Sequence, residues 1–166
     1  MKKNLFLILL LSLVCLSCKK DDDKETGPSD YFQLHTKTVQ LNSAFYILRE
    51  EYSNKILGVT IINAAALGSV SLQFHDEDGM NEIPTGEYNL ESSSNTEMPP
   101  VYISTVYDKV SYFITKGVLS VSKKNNVYTM ELKDAKVKTS DYLNPIDKNK
   151  EYNFSLKYSG NIPKKY

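Results

Sequence analysis

The sequence predicts an all-β domain, a single antiparallel β-sandwich of about 8–10 strands ending in a C-terminal meander. A small up-and-down barrel is the alternative reading of the same pattern. Three observations carry this. Apolar and polar residues alternate with period two in segment after segment, the mark of strands with one face in the core and one in water. Gly, Asn, Asp and Pro punctuate these segments at short intervals. The one run of small helix formers, Ala64-Ala65-Ala66-Leu67, is far below the length at which an isolated helix persists.

Taken in order, residues 32–39, 44–51 and 57–63 are strand-like with weak phase. Ser69 to His75 is sharper: Val70, Leu72 and Phe74 share one face, and Ser69, Ser71, Gln73 and His75 the other. Glu87 to Glu91 turns Tyr88 and Leu90 inward. Two further strands are expected at 101–107 and 111–115. Gly117 to Ser122 directs Leu119 and Val121 inward and leads through Lys123-Lys124-Asn125-Asn126 into Val127–Lys133. Asn tolerates positive φ, so this tetrapeptide is expected to turn a hairpin. Past Asp134 the phase changes, because Tyr128, Met130 and Leu132 have one parity and Ala135 and Val137 the other. A β-bulge at Asp134 would return both sets to one face. Glu151 to Ser159 alternates without a break, with Tyr152, Phe154, Leu156 and Tyr158 inward. No internal repeat is visible, and the barrel alternative would be lipocalin-like.

The first residues follow different rules. Lys2 and Lys3 precede an apolar run from Leu5 to Leu16 interrupted by Ser12. As a helix this run would rise only about 18 Å, against a hydrocarbon core of about 30 Å. It therefore reads as a secretory signal segment, residues 1–17. Ser17-Cys18 followed by Lys19-Lys20-Asp21-Asp22-Asp23 resembles a bacterial lipobox with an acidic export signal. The position three before Cys18 is Cys15, where a lipobox usually has Leu. Together with loose motifs such as Ile83-Pro84-Thr85-Gly86-Glu87-Tyr88 and Tyr158-Ser159-Gly160, the chain resembles short surface-exposed lipoproteins of Bacteroidota with β-sandwich bodies. The resemblance implies acylation (palmitate) at Cys18, anchoring in the outer membrane through that lipid, and display at the cell surface. Many such families have no assigned activity. Residues 18–30 then form a flexible charged tether, having no apolar residue to offset ordering entropy, and 31–166 the β domain.

Composition narrows the functions. The chain has 166 residues, 20 basic and 20 acidic side chains and a formal charge of zero, so nothing favours nucleic acid as a partner. Removing residues 1–17 takes two lysines and no acid, leaving 18 basic against 20 acidic side chains, a charge of −2. Of the 2 cysteines, Cys15 would leave with the signal and Cys18 would be acylated. The folded body is then expected to lack a disulfide, a thiolate metal site and a Cys nucleophile.

Candidate chemistry is sparse. A nucleophilic triad needs a base, usually His, and the histidines are His35 and His75, with no G-x-S-x-G motif. The acidic stretch Asp76, Glu77, Asp78 and Glu82 could supply a carboxylate pair, but within one turn it reads as solvated charge. Asp76, Asp78 and Glu82 around Gly79 superficially resemble a calcium loop, since Ca²⁺ takes six to eight oxygens; the EF-hand spacing is not met. Tyr102, Tyr107 and Tyr112 are candidate ligand contacts, as a Tyr platform can stack a sugar or anchor a protein. Their other reading is strand packing, and the absence of Trp weakens the carbohydrate case. Lys123, Lys124, Lys133, Lys136 and Lys138 read as outward lysines that keep the sheet soluble and its edges unpaired. The expectation is a non-enzymatic binding module for a glycan or protein partner, without a cofactor. A structural or accessory subunit of an envelope complex is the alternative.

Overall fold

Among the described residues the alternating segments fold into ten antiparallel strands. The computed structural model describes residues 30–166 apart from 52–53, 64, 66–67, 77–79, 92–100 and 140–149. The strands are β1 (Tyr31–Leu34), β2 (Lys37–Gln40), β3 (Ser43–Glu51), β4 (Asn54–Asn63), β5 (Gly68–Asp76), β6 (Gly86–Asn89), β7 (Val101–Tyr107), β8 (Val110–Lys124), β9 (Val127–Thr139) and β10 (Glu151–Gly160). The signal segment, Cys18 and the tether as far as Ser29 lie outside the described residues. Asp30, the last tether residue, is held by the fold, accepting from the Leu41 N–H at 2.9 Å and from the Ser159 N–H at 2.7 Å. No helix among the described residues is long and apolar enough to cross a membrane.

The all-β class is as expected, and β8, β9 and β10 form the expected C-terminal meander. All strands join one curled sheet in the order β2-β1-β10-β9-β8-β7-β5-β4-β3, with β6 paired to β8. The two inner faces of the expected sandwich are thus two halves of one ladder. The halves join where β7 meets β8, at Ser104↔Phe113 through Tyr107↔Val110. Farther along, β6 takes the place of β7 beside β8, pairing Gly86–Asn89 with Val118–Val121. Beyond Ser104, toward Val101, β7 keeps only β5 as its partner, so the sheet splits there and the two halves face each other. The buried side chains of both halves make one core that includes Phe32, Leu57, Leu72, Phe74, Leu119, Met130, Leu132 and Leu156. Phe32 of β1 meets Tyr107 of β7 edge to face at 6.3 Å, and Phe74 meets Tyr88 at 5.6 Å.

The C-terminal tail reaches the opposite edge. The Tyr46 N–H donates to the Pro163 carbonyl at 3.0 Å, and the Lys165 N–H donates to the Tyr46 carbonyl at 2.8 Å. The Lys165 ammonium sits 3.9 Å from the centroid of the Phe45 ring. The tail covers the middle of the β3 edge, a common protection against edge pairing.

Two expected segments are corrected. Residues 32–39 are two strands, not one, with a turn at His35-Thr36 (His35 φ 56°) and Leu34 paired to Lys37. Parity explains it: Phe32 and Leu34 are buried, and so is Val39, which an unbroken strand would have turned outward. Conversely, 111–115 and 117–122 belong to the single strand β8, whose register breaks on both sides of Lys116. The bulge expected at Asp134 is present. Asp134 has φ 51°, and the β9 pairing jumps from Lys133 to Lys136 along β8. Ala135 and Val137 are buried with Tyr128, Met130 and Leu132.

Both meander-side hairpins are tight. Asn125 and Asn126 adopt φ 50° and 65° between the paired residues Lys124 and Val127, as expected of a type I′ turn. Asp108 and Lys109 do the same at φ 48° and 68° between Tyr107 and Val110. Lysine has no side-chain device for the left-handed region, where an L-residue costs about 1–2 kcal/mol. Replacing Lys109 by Gly removes that cost but loosens the unfolded chain, so a net gain of about 0.5–1 kcal/mol is expected. Urea unfolding checks it; an unchanged or lowered midpoint would show that Lys109 is unstrained.

Candidate functional site

The three tyrosines singled out from sequence do not share a face. Tyr102 and Tyr107 are five residues apart on β7, an odd spacing that sends them to opposite sides. Tyr102 is 42% exposed on the outer face, opposite Gln73. Tyr107 packs half-buried against the core, and Tyr112 sits beside Thr105 and Thr139 on the same inner face. A three-tyrosine platform is therefore not formed, because the pleat separates its members.

The acidic turn is also divided. Asp76 closes β5 opposite Lys55, while the Asp76 side chain and Asp78 fall outside the described residues. Glu82 faces Lys123 at 2.5 Å, beside Tyr128 and Tyr46 in a small cavity of about 210 Å³. Glu82, with help from the Tyr128 hydroxyl, holds the Lys123 ammonium pKa up to about 12. No group of three or more metal-ligating side chains occurs among the described residues. His75 sits half-buried near the end of β5, opposite Ile56.

A different set of side chains converges on the outer face of the meander. Two irregular strands meet at one level of the sheet: β8 around Lys116, and β9 at Asp134, where Lys133 and Asp134 stand against the single residue Ser155 of β10. Bulges re-aim side chains and recur next to functional sites. Over these breaks lies a groove of about 550 Å³, within the size range of small-ligand sites. Gln33 and His35 line it from β1 and its turn, Lys116 from β8, Asp134 and Lys136 from β9, and Asn153 and Ser155 from β10. The wall is polar because these residues alternate with the buried Phe32, Leu34 and Phe154.

Gly117 is what lets the two bulged strands meet. It adopts φ 146°, and a Cβ there would stand 2.9 Å from the Ala135 Cβ and 3.1 Å from the Lys133 carbonyl oxygen. His35 is fixed from two sides. Its N–H donates to the Asn153 carbonyl at 2.8 Å, and its ring meets Tyr152 edge-on at 6.1 Å. Tyr152 in turn meets Tyr112 at 6.2 Å, so Tyr112 supports the rim from the core side.

The meander lysines divide into those with a carboxylate partner and those without one, the latter including Lys116, Lys124, Lys136 and Lys157 among the described residues. Lys123, Lys133 and Lys138 each reach a carboxylate, on Glu82, Glu131 and Glu151. Lys116 and Lys136 are cross-strand partners, and among the described residues neither has a carboxylate within ion-pair distance. Lys136 donates instead to the neutral Asn153 side-chain oxygen. Lys116 and Lys136 share the groove wall with the Asp134 carboxylate. Such a groove can bind and orient a polar ligand. Sequence reading took Lys136 for a solubility lysine and Asp134 for a bulge residue only. The signal available was the phase change at Asp134; the convergence of four strands depends on register.

No protein family matches the chain, and neither a curated protein nor a solved structure matches it. Fold and groove together define it as an all-β protein with a polar, cation-bearing groove on the outer face of its sheet.

Proposed function

We propose that the protein is an outer-membrane lipoprotein, anchored through acylated Cys18 and displayed at the cell surface, that acts as a non-catalytic binding module for a glycan or protein partner. The observation that supports binding is the groove, which gathers Lys116, Lys136, Asp134, Gln33, Asn153 and Ser155 on one polar wall. The signal segment, lipobox and Lys19–Asp23 run support the compartment. Several acyl chains on one cysteine would hold the protein almost permanently, since each buried methylene contributes about 0.8 kcal/mol.

The anchor has a direct test. Cys18→Ala is expected to abolish incorporation of labelled palmitate; retained labelling sinks the lipoprotein reading. Replacing Asp21, Asp22 and Asp23 by Ala should leave labelling intact and reduce protease access on whole cells. Binding is tested by presenting the purified protein to a glycan array and to an envelope extract. Ligand capture that survives washing supports the module, and no enrichment on either refutes it. An envelope-subunit role would need an open edge for strand pairing, and the tail lying across Tyr46 counts against β3 serving as one.

A further inference from the structure

Resting on the binding-module reading, we infer that the groove over the meander bulges is a site for an acidic saccharide, a pyranose ring bearing a carboxylate. The first step is charge. Lys116 and Lys136 are directly opposite and lack carboxylate partners among the described residues, so the site favours an anion, and charge-assisted bonds from ammonium to carboxylate are the stronger kind. The second step is what limits the anion. Asp134 stands on the same wall, carried there by the β9 bulge. A carboxylate repels a densely charged oxyanion such as phosphate more than it repels a singly charged sugar acid, and it accepts readily from the several hydroxyls of a sugar ring. The third step is the remainder of the wall. Gln33, Asn153 and Ser155 supply paired donors and acceptors, matching hydroxyls that both donate and accept. The volume of about 550 Å³ exceeds the needs of a single small ion and suits one or two sugar rings. A bare anion uses only the two lysines; an acidic sugar uses both lysines, Asp134 and the amides together.

The test is calorimetry on the purified protein with four probes: a galacturonate oligomer, its methyl ester, N-acetylneuraminic acid and inorganic phosphate. The two acids distinguish a uronate from a sialate source of the carboxylate. At least one acid is expected to bind, with affinity falling as salt rises, and the uncharged ester or phosphate should bind at least about tenfold more weakly. Lys116→Met and Lys136→Met should each weaken the acid about tenfold, while Lys116→Arg retains binding. Both side chains lie on the outer face, and Lys136→Met gives up only its bond to the Asn153 side chain, so both unfolding midpoints should stay close to that of the unmodified protein, which separates lost binding from lost folding. Three results overturn the inference: equal binding of acid and ester, phosphate binding as tightly as the acids, or methionine variants with unchanged affinity. Capture of a neutral glycan or of a protein, undiminished in Lys116→Met, overturns the acidic-sugar class while the binding-module reading stands. Absence of any captured ligand removes both.

Discussion

Gly117→Ala is expected to destabilise the protein by about 3 kcal/mol, the sum of backbone strain and overpacking. At this size that lowers the thermal midpoint by roughly 10 °C. The φ of 146° at Gly117 suits a residue without Cβ. An alanine Cβ would also stand 3.0 Å from the Ala135 Cα and 3.1 Å from the Lys133 carbonyl oxygen. Both are backbone atoms of β9 at its bulge, and neither can rotate away. Relief would require β8 and β9 to part where their ladder is already irregular. Gly58 is the internal control. It lies in mid-strand, and a Cβ there meets only the Ile47 carbonyl oxygen at 3.9 Å, so Gly58→Ala should be neutral or stabilising by about 0.5 kcal/mol. Calorimetric or circular-dichroism melts of the two variants decide the matter. Equal midpoints would mean that the bulge is soft and that Gly117 is not its pivot. Because the same contact positions Asp134 and Lys136, Gly117→Ala should also weaken ligand binding in the groove, at temperatures where the variant remains folded.

The bulge shows how far the residues alone could be read. Parity exposed it, since Leu132 and Ala135 cannot share a face without an extra residue, and the structure puts that residue at Asp134 with φ 51°. The Asn125-Asn126 turn and the inward set Phe154, Leu156 and Tyr158 were legible for the same reason: a local rule fixes each, and nothing distant contradicts it. The groove was not legible. It is made by Gln33, Lys116, Lys136 and Asn153, spread over 121 positions from first to last, and their meeting depends on register. Parity could equally have divided residues 32–39, where Val39 falls out of phase with Phe32 and Leu34. The tyrosines erred in the other direction. Tyr102, Tyr107 and Tyr112 are close in sequence, and the pleat then set Tyr102 apart from the other two. Closeness in a strand is weak evidence of a shared face, whereas even spacing is strong evidence.

Phe32→Ala should have the largest effect on stability, about 4 kcal/mol. The ring is fully buried, stacks on Phe154 at 5.8 Å and 26°, and meets Tyr107 edge-on at 6.3 Å. It also lies against Gly68, where a Cβ would come within 3.1 Å of its Cζ. These contacts belong to different halves of the sheet. Phe154 neighbours it across β10, whereas Tyr107 and Gly68 belong to β7 and β5 on the facing half. Truncation to Ala therefore leaves a cavity that neither half can fill alone, since closing it would move the whole β1–β2 hairpin. Tyr102→Ala removes a ring of similar size from the outer face and should cost less than about 1 kcal/mol, so the contrast separates core packing from loss of aromatic area. Urea unfolding followed by tyrosine fluorescence and by far-ultraviolet circular dichroism gives both magnitude and mechanism. A single lowered transition, coincident in both probes, is expected if the halves share one core. Two separate transitions in Phe32→Ala would show instead that the halves fold as independent units, with Phe32 a contact between them and not a member of a common core.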